Sequence, residues 1–138
     1  MREQMLALIL MPPFFSIVLT LYMRSVLLNF IRQVPCIENE RHIDLFKQTV
    51  RVAMLGALAQ LFMMFIPIVT YIYGLTEDIL TVQESLYVVG PVGLYLIVSV
   101  PYKRLEVRAQ KIRIDNHSLL PEYIPVKEAW LRRSLPIW

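Results

Sequence analysis

The 138-residue sequence is short of charged residues, and the few it has are unevenly distributed. Charged residues make up 18% of the chain and apolar residues 57%, whereas soluble domains hold about 25% and 45–50%. Asp, Glu, Lys and Arg are absent from three segments, 5–23, 52–75 and 85–102, of 19, 24 and 18 residues. As helices rising about 1.5 Å per residue, these segments approach or exceed the roughly 30 Å of a hydrocarbon core. The sequence therefore predicts an integral membrane protein, because a soluble bundle would have too little polar surface to cover them.

Cysteine is nearly absent, and so are the patterns typical of enzymes and cofactor sites. The single thiol, Cys36, excludes an internal disulfide and a cysteine-based metal cluster. Both histidines, His42 and His117, lie outside the apolar segments, which disfavours a haem held between membrane helices. No HExxH, CxxC or glycine-rich phosphate loop occurs, and the apolar segments hold none of the ionisable residues that mark proton pumps and carriers. We therefore predict no catalytic residue, no cofactor and no metal site.

The predicted fold is all-α, with a membrane domain over residues 1–102 and a basic, proline-punctuated extramembrane tail over residues 103–138. Transmembrane helices are predicted at about 5–31, 52–75 and 85–102. The first contains Pro12 and Pro13, which predict a kink, with the regular helix starting at Pro13 as one solution. A re-entrant or interfacial segment is the alternative there. In the tail, residues 126–135 are predicted to form a short interfacial helix anchored by Trp130.

The linker before the second span has the pattern of an amphipathic helix over about residues 39–51. Asn39 is a helix-capping residue type, and Ile43, Phe46 and Val50 recur at three- and four-residue spacing. We expect this helix to lie at the membrane interface and to continue into the second span. The alternative is a solvated loop.

Basic residues are almost confined to one side of the predicted topology. Five Lys and Arg lie between Arg24 and Arg51, eight lie from Lys103 onward, and the loop from Thr76 to Glu84 has none. One more, Arg2, lies near the N-terminus. The positive-inside rule then predicts that the N-terminus is outside and the C-terminus inside. A bacterial cytoplasmic membrane or an organellar inner membrane fits this asymmetry best.

Packing and surface residues are the remaining functional candidates. In the spans, side chains that are small or polar are candidates for helix packing: Gly56, Gln60, Gly90 and Gly93. For Gln60 we favour an interhelical hydrogen bond over contact with a ligand or pigment. After the third span, side chains that are basic or aromatic are candidates for contact with lipid or a partner: Lys103, Arg104, Arg108, Lys111, Arg113 and Trp130.

These features favour a non-catalytic structural or accessory subunit of a larger multi-subunit membrane-protein complex. Such a subunit contributes helix packing and a peripheral contact through its tail. The expected partners are other membrane-protein subunits and anionic lipids, with no nucleic acid and no small-molecule substrate. The alternative is a small oligomeric transporter or channel component, for which the polar residues Ser16, Thr20, Gln60 and Thr70 are few. A third possibility, an enzyme acting on lipids, would need a catalytic constellation near the interface.

Overall fold

The computed structural model describes residues 1–132, which form four α-helices and one short pair of strands. The helices are α1, Arg2–Gln33; α2, Glu40–Thr76; α3, Leu86–Gln110; and α4, Leu120–Arg132. Strands β1, Cys36–Ile37, and β2, Arg113–Ile114, pair in parallel, and 3-10 turns at Val82–Ser85 and His117–Leu119 precede α3 and α4. The prediction of an all-α fold is confirmed. Three helical segments, Arg2–Gln33, Glu40–Thr76 and Val82–Gln110, are long and apolar enough to cross a membrane.

The helix α1 passes through its proline pair without ending. It begins at Arg2 rather than at Pro13 and forms a single helix of 32 residues. Pro12 and Pro13 have no N–H, so the carbonyls of Leu8 and Ile9 lose their intrahelical donors. Both prolines are buried, which places this weak point of the helix inside the protein.

The helix α2 begins at a cap that the sequence indicates. The Asn39 Oδ1 accepts a hydrogen bond from the backbone N–H of His42 at 3.0 Å, which satisfies a free donor of the first turn. From Glu40 the helix runs for 37 residues, so the linker and the second apolar segment form one element, as expected. Past its end, Asp78 adopts a left-handed conformation with φ 54°, which a short polar side chain tolerates.

The contacts divide the chain into two compact units. The apolar unit consists of Met1–Leu21 and Leu58–Val100, and the basic unit consists of Tyr22–Ala57 and Pro101–Trp138, described as far as Arg132. The basic unit carries thirteen of the fourteen Lys and Arg and seven of the eleven Asp and Glu, a net charge of +6. The apolar unit carries one basic and four acidic residues, a net charge of −3. The basic unit thus combines the segment Tyr22–Ala57, which includes the linker, with the chain from Pro101 onward.

The basic unit has an aromatic core centred on Phe46, whose side chain is fully buried. Its ring centroid lies 5.9 Å from that of Phe30, 5.1 Å from that of Tyr123 and 5.9 Å from that of Trp130. These contacts correct two predictions. The apolar face of the linker helix packs against the chain's own C-terminal segment rather than against a membrane interface. The tail is folded against that helix, through α4, which starts at Leu120; residues 133–135 of the predicted interfacial helix lie outside the described residues.

Candidate functional site

A buried carboxylate, that of Glu106, holds the C-terminal helix within the basic unit. Its Oε1 accepts a hydrogen bond from Trp130 Nε1 at 3.2 Å, and its Oε2 accepts one from Lys103 Nζ at 2.8 Å. A buried charge is costly unless it is paired, and here both oxygens have a donor. Trp130 is only 2% exposed, so its predicted contact with lipid or a partner is corrected. The indole instead packs on Phe46 and hydrogen-bonds to Glu106.

The five basic candidates after the third apolar segment are all exposed but differ in their partners. Lys103 is engaged with Glu106. Arg113 lies in β2, where its carbonyl accepts a weak hydrogen bond from Cys36 Sγ at 3.3 Å. The other three, Arg104, Arg108 and Lys111, follow one another at four- and three-residue intervals near the end of α3, and none of them forms an ion pair with residues 1–132. These three residues form the basic stripe.

A polar network joins three helices inside the apolar unit. Gln60 of α2 donates from Nε2 to Thr20 Oγ1 of α1 at 2.6 Å. Its Oε1 accepts a hydrogen bond from the Tyr95 hydroxyl of α3 at 3.3 Å. Thr20 Oγ1 in turn donates to the carbonyl of Ser16 at 2.7 Å. Gln60, the polar side chain singled out in the sequence, thus hydrogen-bonds to both other helices. Its partner Tyr95 could not be predicted from the sequence, because no local pattern relates residues 35 positions apart.

The candidate packing glycines fall into two groups. At Gly56, an added Cβ would overlap Met23 Sδ, so this glycine permits close approach of α1 and α2 within the basic unit. At Gly90 and Gly93, an added Cβ would have no side-chain or other non-local heavy atom within 4 Å. Gly56 and Gln60 are therefore engaged within the chain, whereas Gly90 and Gly93 face open space.

An apolar groove of about 460 Å³ lies in the apolar unit between α1 and α2. Its lining includes Leu8, Met11 and Phe15 of α1 and Met63 and Ile66 of α2, with Gln4 as its one polar residue. This lining offers no acid, base or nucleophile. Among residues 1–132, no three His, Cys, Asp or Glu side chains lie close enough together to hold a metal ion.

Comparisons with known proteins do not assign this arrangement. No protein-family model, no curated protein and no solved structure matches the sequence. The geometry itself provides four features: the Gln60 network, the C-terminal segment held at Glu106, the basic stripe, and two open glycines on α3.

The Gln60 network gives a first testable prediction. Replacing Gln60 by leucine removes the hydrogen bonds to Thr20 and Tyr95 and is expected to destabilise the apolar unit by about 1 kcal/mol, the scale measured for hydrogen bonds between membrane helices. Unfolding in mixed micelles measures this. Ser99→Ala is the matched control, because the Ser99 hydroxyl donates to the Leu96 carbonyl of its own helix and, among the described residues, to no other helix. Equal stability of the two variants would show that the amide does not hold the helices together.

Proposed function

We propose that this chain is a non-catalytic structural or accessory subunit of a larger multi-subunit membrane-protein complex, contributing helix packing and a peripheral contact. The observation that carries the proposal is the open surface of α3. Each of the three helical segments contains an apolar stretch of 18 residues. In Val82–Gln110, 6% of that stretch is buried within the chain, against 28% in α1 and 22% in α2. The two open glycines, Gly90 and Gly93, lie on this helix.

Glycine at exposed helix positions lowers the stability of the helix, and no contact within the described chain compensates for this at Gly90 and Gly93. A glycine in a helix is about 1 kcal/mol less favourable than alanine. In membrane helices, small residues allow a neighbouring backbone to approach closely, and packing then supplies much of the association energy. Pro91, between the two glycines, also removes the donor for the Tyr87 carbonyl. A partner helix packed on α3 accounts for the glycines.

The alternative, a small oligomeric transporter or channel component, receives less support. A pore between copies of the chain needs polar side chains on an outer helix face. Ser16, Thr20 and Gln60 are all buried inside the apolar unit. The exposed side chains of α1 there include Phe14 and Phe15, which suit lipid or a partner helix better than water.

The particle extracted from the native membrane in mild detergent tests the proposal. A hetero-complex much larger than the 16.2 kDa chain supports it. A homo-oligomer would favour the alternative. A monodisperse, protease-resistant monomer would contradict both.

We further propose that α1, α2 and α3 cross the membrane with the N-terminus outside and the C-terminus inside, in a bacterial cytoplasmic or an organellar inner membrane. The distribution of Lys and Arg supports this orientation, because thirteen of the fourteen lie in the basic unit and one lies in the apolar unit. The positive-inside rule places Lys and Arg near the ends of spans on the inner side.

The native thiol tests this orientation. In sealed, right-side-out membranes, a membrane-impermeant maleimide is expected not to label Cys36, which lies in the connection between α1 and α2. A cysteine replacing the exposed Thr81, in a Cys36→Ser background, is expected to label readily. Val82, 75% exposed, offers a second position if the loss of the Thr81 side chain disturbs the turn at Glu84.

A control for reactivity is needed, because burial, together with the neighbouring Asp115, raises the pKa of the Cys36 thiol. The thiolate is the reacting species, so at neutral pH Cys36 labels more slowly than a free thiol. Labelling that appears only after permeabilisation therefore supports the orientation. Labelling of Cys36 but not of Thr81→Cys in sealed membranes would invert it, and equal labelling would contradict three crossings.

A further inference from the structure

We infer that the basic stripe, Arg104, Arg108 and Lys111, binds the phosphate-bearing headgroups of anionic phospholipids in the bilayer that the chain occupies. This inference rests on the proposed membrane insertion and names the partner of the proposed peripheral contact. The inferred ligand is lipid. Binding of the stripe to an acidic protein surface or to free phosphate instead would overturn the inference.

The helix geometry directs the stripe away from the core of the basic unit. At about 100° per residue, Arg104 and Arg108 lie about 40° apart around α3, one turn from each other. Lys111 lies in the turn that directly follows the helix, where its backbone N–H donates to the Arg108 carbonyl at 3.2 Å. The buried residues of the same helix, Tyr102, Glu106 and Ala109, lie on nearly the opposite face. The stripe therefore has no route to the basic unit's own interior and presents its charges outward.

Within residues 1–132 the stripe's charges also lack ion-pair partners, in contrast to neighbouring lysines. Lys103 is bound to Glu106 and Lys47 to Glu122, at 2.8 and 2.6 Å, whereas the three stripe residues form no ion pair with residues 1–132. Of the described acidic residues nearest to the stripe in sequence, Glu106 has both carboxylate oxygens engaged elsewhere, and Asp115 forms no ion pair with Lys111. Val107, 40% exposed, lies between the stripe residues and adds an apolar contact suited to the boundary between headgroups and acyl chains.

The depth of the stripe selects lipid over a protein surface. Past Tyr102, where the charge-free segment ends, Arg104 and Arg108 lie about 3 and 9 Å farther along α3, and Lys111 follows just after the end of the helix. The polar layer of one leaflet is about 5–8 Å thick. Long basic side chains extend back toward that layer. Arg104 and Arg108 thus reach the phosphates of a bilayer, and Lys111 acts from its edge, whereas a protein partner would impose no such order.

The test uses the full chain in a zwitterionic detergent, titrated with phosphatidylglycerol or phosphatidylcholine, with bound lipid counted by native mass spectrometry. The chain is expected to bind phosphatidylglycerol more tightly, and added salt should reduce that preference. Each basic residue near an anionic surface contributes about a fivefold factor, so Arg104→Gln should weaken binding about fivefold and Lys111→Gln less. The triple variant R104Q/R108Q/K111Q should lose the preference. The matched control R32Q/R41Q/R132Q removes the same charge from exposed positions and should keep it.

Several results would overturn the inference. Equal binding of the two lipids would do so, as would an equal loss in the stripe and control variants, which would indicate net charge rather than a surface. Displacement of phosphatidylglycerol by millimolar inorganic phosphate would assign the stripe to free phosphate. Retention of a second protein by the wild-type chain, but not by the triple variant, in a lipid-depleted extract would assign it to an acidic protein. None of these results bears on the size of the native particle, so the subunit proposal stands or falls separately.

Discussion

Replacing Phe46 by alanine is expected to destabilise the basic unit by about 3–5 kcal/mol and to free its C-terminal segment. The Phe46 ring is fully buried and contacts the rings of Phe30, Tyr123 and Trp130, so the change leaves a cavity and removes three aromatic contacts. Because folded domains are stable by only about 5–15 kcal/mol, this is a large share of the total. Trypsin cleavage after Lys111 and Arg113 in the purified full chain, followed together with tryptophan fluorescence, measures the release.

Phe65→Ala is the matched control for this variant. Phe65 is 64% exposed in the apolar unit, so the same chemical change there leaves no internal cavity and should not alter cleavage of the tail. Trp130→Phe separates the contribution of ring packing from that of the hydrogen bond, since it keeps an aromatic ring beside Phe46 but removes the donor to Glu106. Cleavage of Phe46→Ala as slow as that of Phe65→Ala would show that the aromatic core does not hold the tail.

The long helices could be predicted from the sequence, because each contains a long segment without charged residues. The first apolar segment lies within α1, the segment 52–75 lies within α2, and the segment 85–102 lies within α3 apart from Ser85, the last residue of the preceding 3-10 turn. The residues at which these helices end could not be predicted in the same way. α3 continues to Gln110 through a basic stretch, because Arg and Lys are good helix formers and hydropathy reports only where apolar residues stop.

The basic unit was missed because an amphipathic pattern does not say what covers its apolar face. The spacing of Ile43, Phe46 and Val50 suits a membrane interface and an intramolecular partner equally well. The deciding contact joins Phe46 to Trp130, 84 residues later, and no local pattern relates such positions. Trp130 itself resembled an interfacial anchor, since tryptophan is enriched at membrane surfaces. Only the long-range packing distinguishes these possibilities.

The same limit applies to the candidate contact residues. Composition marked Gly56, Gly90 and Gly93 alike as small residues in apolar helices, but only Gly56 has a close neighbour within the described chain, Met23. Likewise, the five basic residues after the third segment looked equivalent until Glu106 was found to engage Lys103. Sequence thus identified the chemical types, and the three-dimensional contacts separated engaged residues from free ones.

Leucine at both Gly90 and Gly93 is expected to leave the isolated chain folded and to remove it from the proposed complex. Within the chain the new side chains meet open space, and leucine is a better helix former than glycine by up to about 1 kcal/mol per site. Against a partner helix they prevent the close backbone approach that small residues allow. We expect the share of the tagged chain that sediments as a large particle in mild detergent to fall at least about tenfold, which corresponds to a loss of about 1.4 kcal/mol.

Two control variants make that result specific. Ala57→Leu also enlarges an exposed small residue, but on α2, and is expected to leave the chain in the large particle. Gly56→Leu would overlap Met23 and should instead destabilise the isolated chain, so its loss from the complex would be accompanied by lower resistance to protease. If G90L/G93L sediments with the wild-type particle, α3 is not the packing face. If the wild-type chain from native membrane behaves as the same protease-resistant monomer as the chain expressed alone, the accessory-subunit proposal is overturned, because a helix with an open glycine face would then persist in the membrane without a partner.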